Sequence, residues 1–311
     1  MSVVRVARSQ ESRPQVVVVL GPTASGKSDL AVELARAFNG EVISADSRQV
    51  YRGLTIGTGK VSKHEMKGVR HHLLDVADPR RQFSVTRFIA LAKRAIKEIE
   101  RRGKLPIICG GTGFYIDALI NGIVLPEVPP NKKLRATLER KTARELLERL
   151  QKEDLERAST IDAFNKRRLI RALEITNVFG KVPRLSKTSC YNPIKIGIQF
   201  SMETLRKRIH ARLKSRLKRG MLSEARRLHE HGLSWKRMEV LGLEYRCLSY
   251  YLQGTLSRKE FEERLEREIY RYAKRQLTWF NRDKSIRWID DPTDAKKLVR
   301  QWLSTSPPPV A

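Results

Sequence analysis

The segment Gly21-Pro22-Thr23-Ala24-Ser25-Gly26-Lys27-Ser28 has the spacing of a phosphate-binding P-loop at every position. The apolar run Val16 to Leu20 precedes it, and the pattern from Asp29 to Phe38 predicts a helix after it. In this context backbone N–H groups converge on a phosphate, Lys27 adds positive charge, and the Ser28 hydroxyl can hold a bridging Mg²⁺ ion. A glycine-rich turn without a ligand is the alternative, which the match of all eight positions disfavours. The segment leaves open whether the phosphate belongs to a nucleotide.

The composition favours a globular protein outside the membrane. The chain has 311 residues, 40% of them hydrophobic, which suffices for one large or two ordinary domains. It has no run of about 18 apolar residues that could span a bilayer. We interpret Met1 to Gln15 as a loose tail, because it lacks the apolar stretch of a secretory signal. The cysteines Cys109, Cys190 and Cys247 lie far apart, so we expect neither disulfides nor a zinc site, and a cytoplasmic location.

The charge is strongly positive and uneven. The chain carries 63 Lys and Arg residues against 34 Asp and Glu residues, for a net charge of +29. Residues 1–125 have 20 basic and 11 acidic residues, whereas residues 126–311 have 43 and 23. A basic solvated surface without a specific partner is one interpretation of this surplus. Its size and its concentration in the second part of the chain favour a polyanionic partner, most commonly nucleic acid.

An acidic residue follows the next predicted strand. Glu41 to Ala45 has the pattern of a short strand that ends at Asp46. Ligands of parallel α/β sheets bind where strands end, so Asp46 is a candidate general base or metal-side carboxylate. An N-cap role for Asp46 is a compatible alternative. His71 and His72 have no third ligand at metal spacing, and we interpret them as packing or phosphate-side residues.

The end of a third predicted strand is informative by what it lacks. Lys104 to Cys109 has the pattern of a buried strand, and Gly110-Gly111-Thr112-Gly113 follows it. A P-loop NTPase or kinase usually carries an acid in this region to hold Mg²⁺. Glycines and a threonine suit close approach of a planar or phosphorylated ligand better than an ATP-hydrolysing centre.

These patterns predict an α/β fold with a P-loop NTPase-like parallel sheet core, a helical insertion and a helical C-terminal part. Basic residues are interleaved with aromatic ones from Tyr272 to Phe280, an arrangement that can contact phosphates and stack on unpaired RNA bases. For Trp279 and Phe280 alone, a core position is the better interpretation. The predicted ranges are a flexible tail at 1–14, the core at 15–125 and 191–292, the insertion at 126–190, and a C-terminal tail at 293–311.

Six ordered blocks carry a family resemblance: GPTASGKS, ISADSRQVYRGLTIGTGK, HHLLD, GGTGFY, the arginine segment ending in RALE, and AKRQLTWF. From about Val16 to Asp290 the chain resembles the tRNA dimethylallyltransferase (tRNA isopentenyltransferase) family in its shorter, bacterial form. The resemblance implies transfer of a dimethylallyl group from dimethylallyl diphosphate, with Mg²⁺, to N6 of the adenosine just 3′ of the anticodon. It implies binding of the tRNA anticodon stem-loop, and we expect a monomer.

The resemblance also assigns roles to positions. It implies that Asp46 is the base at the adenine amine and that Thr112 positions the base or the diphosphate. The diphosphate residues it implies are Gly21, Pro22, Thr23, Ala24, Ser25, Gly26, Lys27 and Ser28, with Arg208 and Arg212, and Ser28 is the candidate Mg²⁺ ligand. The implied tRNA contacts are Asp46, Ser47, Arg48, Gln49, Arg135, Arg167, Arg168, Leu169, Ile170, Arg171, Arg246, Lys274, Arg275, Gln276, Thr278 and Trp279.

The chain departs from the family pattern at a few positions. Gly59 and Val61 replace the Ala and Pro that are common after Ile-Gly-Thr, and Asn165 stands where Asp is frequent. The segment Leu243-Glu244-Tyr245-Arg246 extends one that more often reads Gly-Tyr-Arg, so the arginine that contacts tRNA there stays open.

Two other functions share some of these features. An adenylate isopentenyltransferase that makes a free cytokinin would share the loop, Asp46 and Thr112, but has no use for the positive charge of residues 126–311. A P-loop nucleotide kinase, or an NTP-dependent RNA-binding protein, is disfavoured because the expected acid is missing after Cys109.

Overall fold

The computed structural model describes residues 13–184 and 188–305, so most of the predicted N-terminal tail lies outside the described residues. The elements within these ranges follow in this order: β1 (Gln15–Leu20), α1 (Lys27–Ala37), β2 (Gly40–Ser44), α2 (Lys63–Met66), β3 (His71–His72), α3 (Val85–Glu100), β4 (Leu105–Gly110), α4 (Gly113–Ile120), α5 (Lys132–Glu139), α6 (Ala143–Glu153), α7 (Leu155–Thr160), α8 (Lys166–Phe179), β5 (Asn192–Ile198), α9 (Met202–Lys218), α10 (Met221–Glu230), α11 (Trp235–Val240), α12 (Leu243–Leu252), α13 (Arg258–Phe280), β6 (Ile286–Ile289) and α14 (Thr293–Thr305). None of these helices combines the length and the apolar character that a bilayer span requires.

The strands form a parallel sheet in the order β3-β2-β4-β1-β5-β6. The strand before the P-loop is central, since Val17 of β1 pairs with Ile107 of β4 on one side and Ile194 of β5 on the other. Helices cover both faces, and Val16 to Leu20 are at most 1% exposed. This burial explains why β1 is an unbroken apolar run rather than an alternating one. The ends of β1, β2 and β4 therefore lie side by side at one end of the sheet.

Two clusters of buried side chains hold helices against the sheet. One face carries Phe88 of α3 and Leu205 of α9 in a cluster that includes α13. The opposite face packs Leu34 of α1 with Val299 and Trp302 of α14. The predicted C-terminal tail is therefore wrong for residues 293–305, because an amphipathic helix covers the outer part of the sheet there. The last six residues lie outside the described residues.

The chain divides into two compact units, one comprising Met1–Gly122 and Ser189–Ala311 and the other Ile123–Thr188. The second unit differs by two or three residues at each end from the predicted insertion at 126–190. It contains α5 to α8 around a small core in which Leu138, Leu146 and Leu169 are fully buried. Helix α8 begins after Asn165, whose side chain accepts a hydrogen bond from the Arg168 N–H. Asn165, a departure from the family pattern, thus serves as an N-cap.

Candidate active site

The P-loop joins β1 to α1, which begins at Lys27. Gly26 has a φ of 85°, a left-handed conformation that favours glycine, and it places the free N–H groups at the start of α1 toward the loop. The Lys27 Nζ donates a hydrogen bond to the Pro22 carbonyl oxygen at 3.1 Å, so the ammonium group reaches back across the loop. The arrangement is that of an anion-binding turn.

A pocket lies where β1, β2 and β4 end. The residues that line it are Lys27, Ser28, Val42, Ser44, Asp46, Gln49, Val61, His71, Leu74, Cys109 and Gly110. The pocket therefore brings the cation and the hydroxyl of the P-loop together with the Asp46 carboxylate, although the sequence separates them by about 20 residues. His71 lines the same pocket, where burial lowers its pKa and favours the neutral ring.

Asp46 follows β2 and holds the turn after it. Its Oδ1 accepts hydrogen bonds from the backbone N–H groups of Arg48, at 2.8 Å, and Gln49, at 3.3 Å. The hydrogen bonds that Asp46 forms with described residues involve Oδ1 alone. The turn-holding role and the pocket-lining role therefore coexist, because one oxygen fixes the carboxyl while the group still borders the pocket.

Thr112 lies beside the segment that follows Asp46. Its Oγ1 accepts a hydrogen bond from the Ser47 N–H at 3.1 Å, and its own N–H donates to the Ala45 carbonyl at 3.3 Å. These bonds join the end of β4 to the end of β2. Gly110 makes this approach possible, since a Cβ there would lie 2.2 Å from the Ala45 carbonyl oxygen.

Helix α9 directs a row of arginines toward the P-loop. Arg208 Nε donates to the Ala24 carbonyl oxygen at 2.7 Å, and its guanidinium lies 4.8 Å from the centre of the Phe200 ring. Arg212, one turn further, donates from Nη2 to the Gly59 carbonyl oxygen at 3.3 Å. The structure thus brings both predicted arginines to the loops around the pocket.

The pKa values of Lys27 and Arg212 are lowered because these two cations are crowded and shielded from water. Desolvation, together with the charges of Arg212 and Arg216, lowers the pKa of Lys27 to about 8. Burial and the neighbouring Arg216 lower the pKa of Arg212 to about 10. A bound anion would relieve this repulsion, and the pocket is electrostatically prepared for one.

Helix α13 presents two kinds of predicted tRNA contact. Lys274, Arg275 and Thr278 are exposed. The Gln276 side chain is only 6% exposed and points inward, where it bonds to Thr23 and Gly111. Trp279 is half-buried, and its indole N–H donates to Asp117 Oδ2 at 2.7 Å. Both ends of the Gln276 amide are used inside the protein, and its contact with tRNA stays a prediction.

The remaining predicted contacts of the first unit lie on loops and helices. Arg48 donates to the Val240 carbonyl oxygen at 3.4 Å, and Gln49 donates to the Gly59 carbonyl oxygen at 3.3 Å. Arg246 pairs with Glu268 at 3.0 Å and is half-buried.

In the second unit the predicted tRNA-contacting residues differ in how far they are buried. Arg167 and Arg168 are exposed, whereas Leu169 and Ile170 belong to the core of the unit. Helical periodicity turns these two side chains to the inner face of α8, and their assignment as tRNA contacts stays a prediction. Arg135 donates two hydrogen bonds of 2.7 Å to the buried Glu174. Arg171 contacts the same carboxylate at 3.4 Å.

The sequence interpretation missed two residues near these sites. Arg216 lies buried on the same face of α9 as Arg212, a placement that their spacing of four residues signals. Phe164, just before α8, is 92% exposed beside the exposed arginines, and the polar loop around it gave the only signal. No group of three or more His, Cys, Asp or Glu side chains within residues 13–184 and 188–305 is arranged to hold a metal ion.

Comparison with known proteins finds relatives over most of the chain. A family model described as IPP transferase matches residues 49–283. The chain is 43% identical over 283 residues to tRNA dimethylallyltransferase 1 of Geotalea daltonii, covering 90% of this chain and 92% of the relative. It is 42% identical over 297 residues to the tRNA dimethylallyltransferase of Anoxybacillus flavithermus, covering 93% and 95%.

Solved structures give the same result. The full-length tRNA isopentenylpyrophosphate transferase of Bacillus halodurans superposes with a TM-score of 0.72 at 37% identity, over 94% of this chain and 96% of that one. A eukaryotic dimethylallyltransferase acting on tRNA gives a TM-score of 0.82 at 28% identity, over 94% and 80%. The predicted α/β fold with a P-loop NTPase-like core is confirmed. The chain therefore belongs to the IPP transferase family.

Proposed function

We propose that the protein transfers the dimethylallyl group of dimethylallyl diphosphate to N6 of the adenosine just 3′ of the anticodon in tRNA and releases diphosphate. The observation that carries the proposal is the pocket that Lys27, Ser28 and Asp46 share. A carboxylate beside an anion-binding turn is what amine alkylation by an allylic diphosphate requires, and this arrangement supports the proposal. The names of the relatives, tRNA dimethylallyltransferases, support tRNA as the acceptor.

The P-loop side of the pocket would stabilise the leaving group. As the bond between the allylic carbon and oxygen breaks, negative charge grows on the departing diphosphate. Loop N–H groups, Lys27 and the arginines Arg208 and Arg212 are in place before the reaction, so little reorganisation is needed.

The Asp46 side would accept the proton. The adenine N6 amine forms the new bond to the allylic carbon and loses a proton, which passes to the Asp46 carboxylate. Thr112 bonds to Ser47 and so fixes the segment that carries Asp46. A flipped base costs least in a loop that is already unpaired, which suits an anticodon loop.

The residues present fit a Mg²⁺ ion bound mainly through the substrate. Mg²⁺ keeps several waters and takes phosphate oxygens with one or two protein ligands. The Ser28 hydroxyl lies on the pocket wall and would be such a ligand. The ion would supply neutralisation of diphosphate charge.

Both units would contribute to RNA binding. The first exposes Lys274, Arg275 and Thr278, and the second exposes Arg167 and Arg168. Such side chains suit phosphate contacts. We also propose that the protein is a monomer and that it modifies tRNA in the cytoplasm.

Incubation with radiolabelled dimethylallyl diphosphate and either unmodified tRNA, AMP or ATP tests the function. Label in tRNA alone is expected, and label in AMP or ATP alone would indicate an enzyme that makes a free cytokinin. Asp46→Asn is the sharpest variant, because its amide oxygen can still accept the Arg48 and Gln49 N–H bonds while it cannot take a proton. Transfer should fall at least about 100-fold with tRNA binding retained. Near-normal turnover of Asp46→Asn would refute the assignment of the base.

A further inference from the structure

Two departures from the family pattern, Gly59 and Glu244, meet at the side chain of Arg216. Arg216 Nη1 lies 3.6 Å from Glu244 Oε1 and donates to the Gly57 carbonyl oxygen at 3.4 Å. A Cβ on residue 59 would lie 1.8 Å from Arg216 Nη2. The common Ala at that position would therefore collide with the guanidinium, and glycine leaves the space that it occupies.

The guanidinium of Arg216 is buried, and one of its hydrogen-bond donors is unpaired among the described residues. The residue is 6% exposed, and its Nε has no hydrogen-bond partner among the described residues. Buried polar groups are normally paired, so an unused donor indicates an absent partner. The distance of 3.6 Å to Glu244 is also long for a tight ion pair.

The backbone around Arg216 is held rigidly. Glu224 accepts hydrogen bonds from the N–H groups of Thr55, Ile56 and Gly57, at 3.1, 2.7 and 2.9 Å. Tyr245 donates its hydroxyl to the same carboxylate at 2.7 Å. This loop carries the Gly57 carbonyl oxygen that accepts a hydrogen bond from Arg216.

Three cations lie close together here. The charges of Arg212 and Arg216 lower the pKa of Lys27, and the charge of Arg216 lowers that of Arg212. Burial lowers the pKa of Arg216, and Lys27 and Arg212 have lowered pKa values for related reasons. An entering polyanion would satisfy all three cations.

We propose that Arg216 is an additional diphosphate-binding residue, that Glu244 is its counter-ion in the ligand-free protein, and that Gly59 provides the room it needs. The inference rests on the proposed function and extends it, because the pocket then holds one more cation than the sequence comparison assigned. As the diphosphate departs, the unused N–H of Arg216 would donate to one of its oxygens while Glu244 keeps the guanidinium oriented.

Binding of inorganic diphosphate, measured by calorimetry without tRNA, tests this. Arg216→Met should weaken binding about 10- to 100-fold, as expected for a charge-assisted hydrogen bond. Glu244→Gln should strengthen it a few-fold, because the competing counter-ion is gone. A purely structural ion pair would lower thermal stability in both variants and change diphosphate affinity in neither. Equal affinity of Arg216→Met and the wild type would overturn the inference.

Two controls separate charge and folding from binding. Lys214→Met removes a cation from the same helix, where Lys214 pairs with Glu262 at the surface, and should leave diphosphate affinity unchanged. If Arg216→Met is unstable, Arg216→Gln is a second variant that keeps a polar group beside the Gly57 carbonyl oxygen and should still bind diphosphate more weakly than the wild type. In steady state the KM for dimethylallyl diphosphate should rise while the KM for tRNA does not. A wild type that binds no diphosphate would overturn the proposed function as well, whereas normal binding by Arg216→Met overturns this inference alone.

Discussion

Gln276 Oε1 accepts a hydrogen bond from the backbone N–H of Thr23 at 2.8 Å, and this bond fastens helix α13 to the P-loop. The same amide donates from Nε2 to the Gly111 carbonyl oxygen at 2.8 Å. One buried side chain therefore connects the anion-binding turn, the end of β4 and the helix that exposes Lys274 and Arg275.

We expect Gln276→Leu to lower the free energy of unfolding by about 1–3 kcal/mol, because two buried backbone groups lose their partners. The KM for dimethylallyl diphosphate should rise as the loop loosens. Urea unfolding and steady-state kinetics measure the two effects. Thr278→Ala, on the exposed face of the same helix, is the matched control and should change neither. Wild-type stability and KM in Gln276→Leu would show that the bridge is dispensable.

Diphosphate binding should depend on the protonation of Lys27. Its pKa of about 8 in the ligand-free protein means that the ammonium loses its proton as the pH rises through 8. A bound anion favours the charged form, so affinity should be constant below this pH and fall above it. Calorimetry at a pH just above 8, in buffers of different ionisation enthalpy, should detect proton uptake on binding. Diphosphate also takes up protons. In Lys27→Met only that proton uptake remains, so the difference from the wild type is the contribution of the Lys27 side chain.

The second unit should depend on Glu174. Burial opposes ionisation of this carboxyl, but hydrogen bonds from Arg135, the Asn131 N–H and Arg171 lower its pKa below the ordinary value. The stabilisation is therefore present above the unfolded-state pKa and is lost as the pH falls through the folded-state pKa. Glu174→Gln should cost about 2–4 kcal/mol of unfolding free energy at neutral pH. Glu148→Gln, which breaks an exposed pair with Arg144, should have no measurable effect in the same denaturation experiment.

Phe164 should contribute to RNA binding by stacking on an unpaired base. It is 92% exposed between residues of a polar loop, and the Asp162 carboxylate holds that loop by accepting the Phe164 N–H at 3.2 Å. Phe164→Ala should weaken binding of an anticodon stem-loop by about 1–3 kcal/mol, measured by fluorescence anisotropy. Phe164→Trp should restore it. Leu155→Ala, an equally apolar change at a 71% exposed site of the same unit, should leave affinity unchanged. Equal losses in both alanine variants would argue against stacking.

Much of the site follows from local sequence. Gly21 to Ser28 define the P-loop by spacing alone, and Asp46 and Thr112 are predictable because each follows a recognisable buried strand. Parallel strands end at the same side of a sheet, so the three segments had to meet. The family resemblance added the substrates and the order of the blocks, and the fold itself is confirmed.

Other features depend on packing that no local pattern encodes. The inward direction of Gln276 is decided by backbone groups more than 160 residues away in the chain. The close approach of Arg216 to position 59 likewise joins residues that are far apart in the sequence. Helix α14 is hard to predict from the sequence because its apolar face packs against strands that are distant in the chain.

The strand that carries the P-loop borders β5 along Gln15 to Leu20, opposite Asn192 to Gly197. During synthesis one edge of this apolar strand therefore stays unpaired until the ribosome has translated the second unit and β5. Such an edge is open to mispairing with other chains. We therefore expect fragments that stop before Asn192 to aggregate.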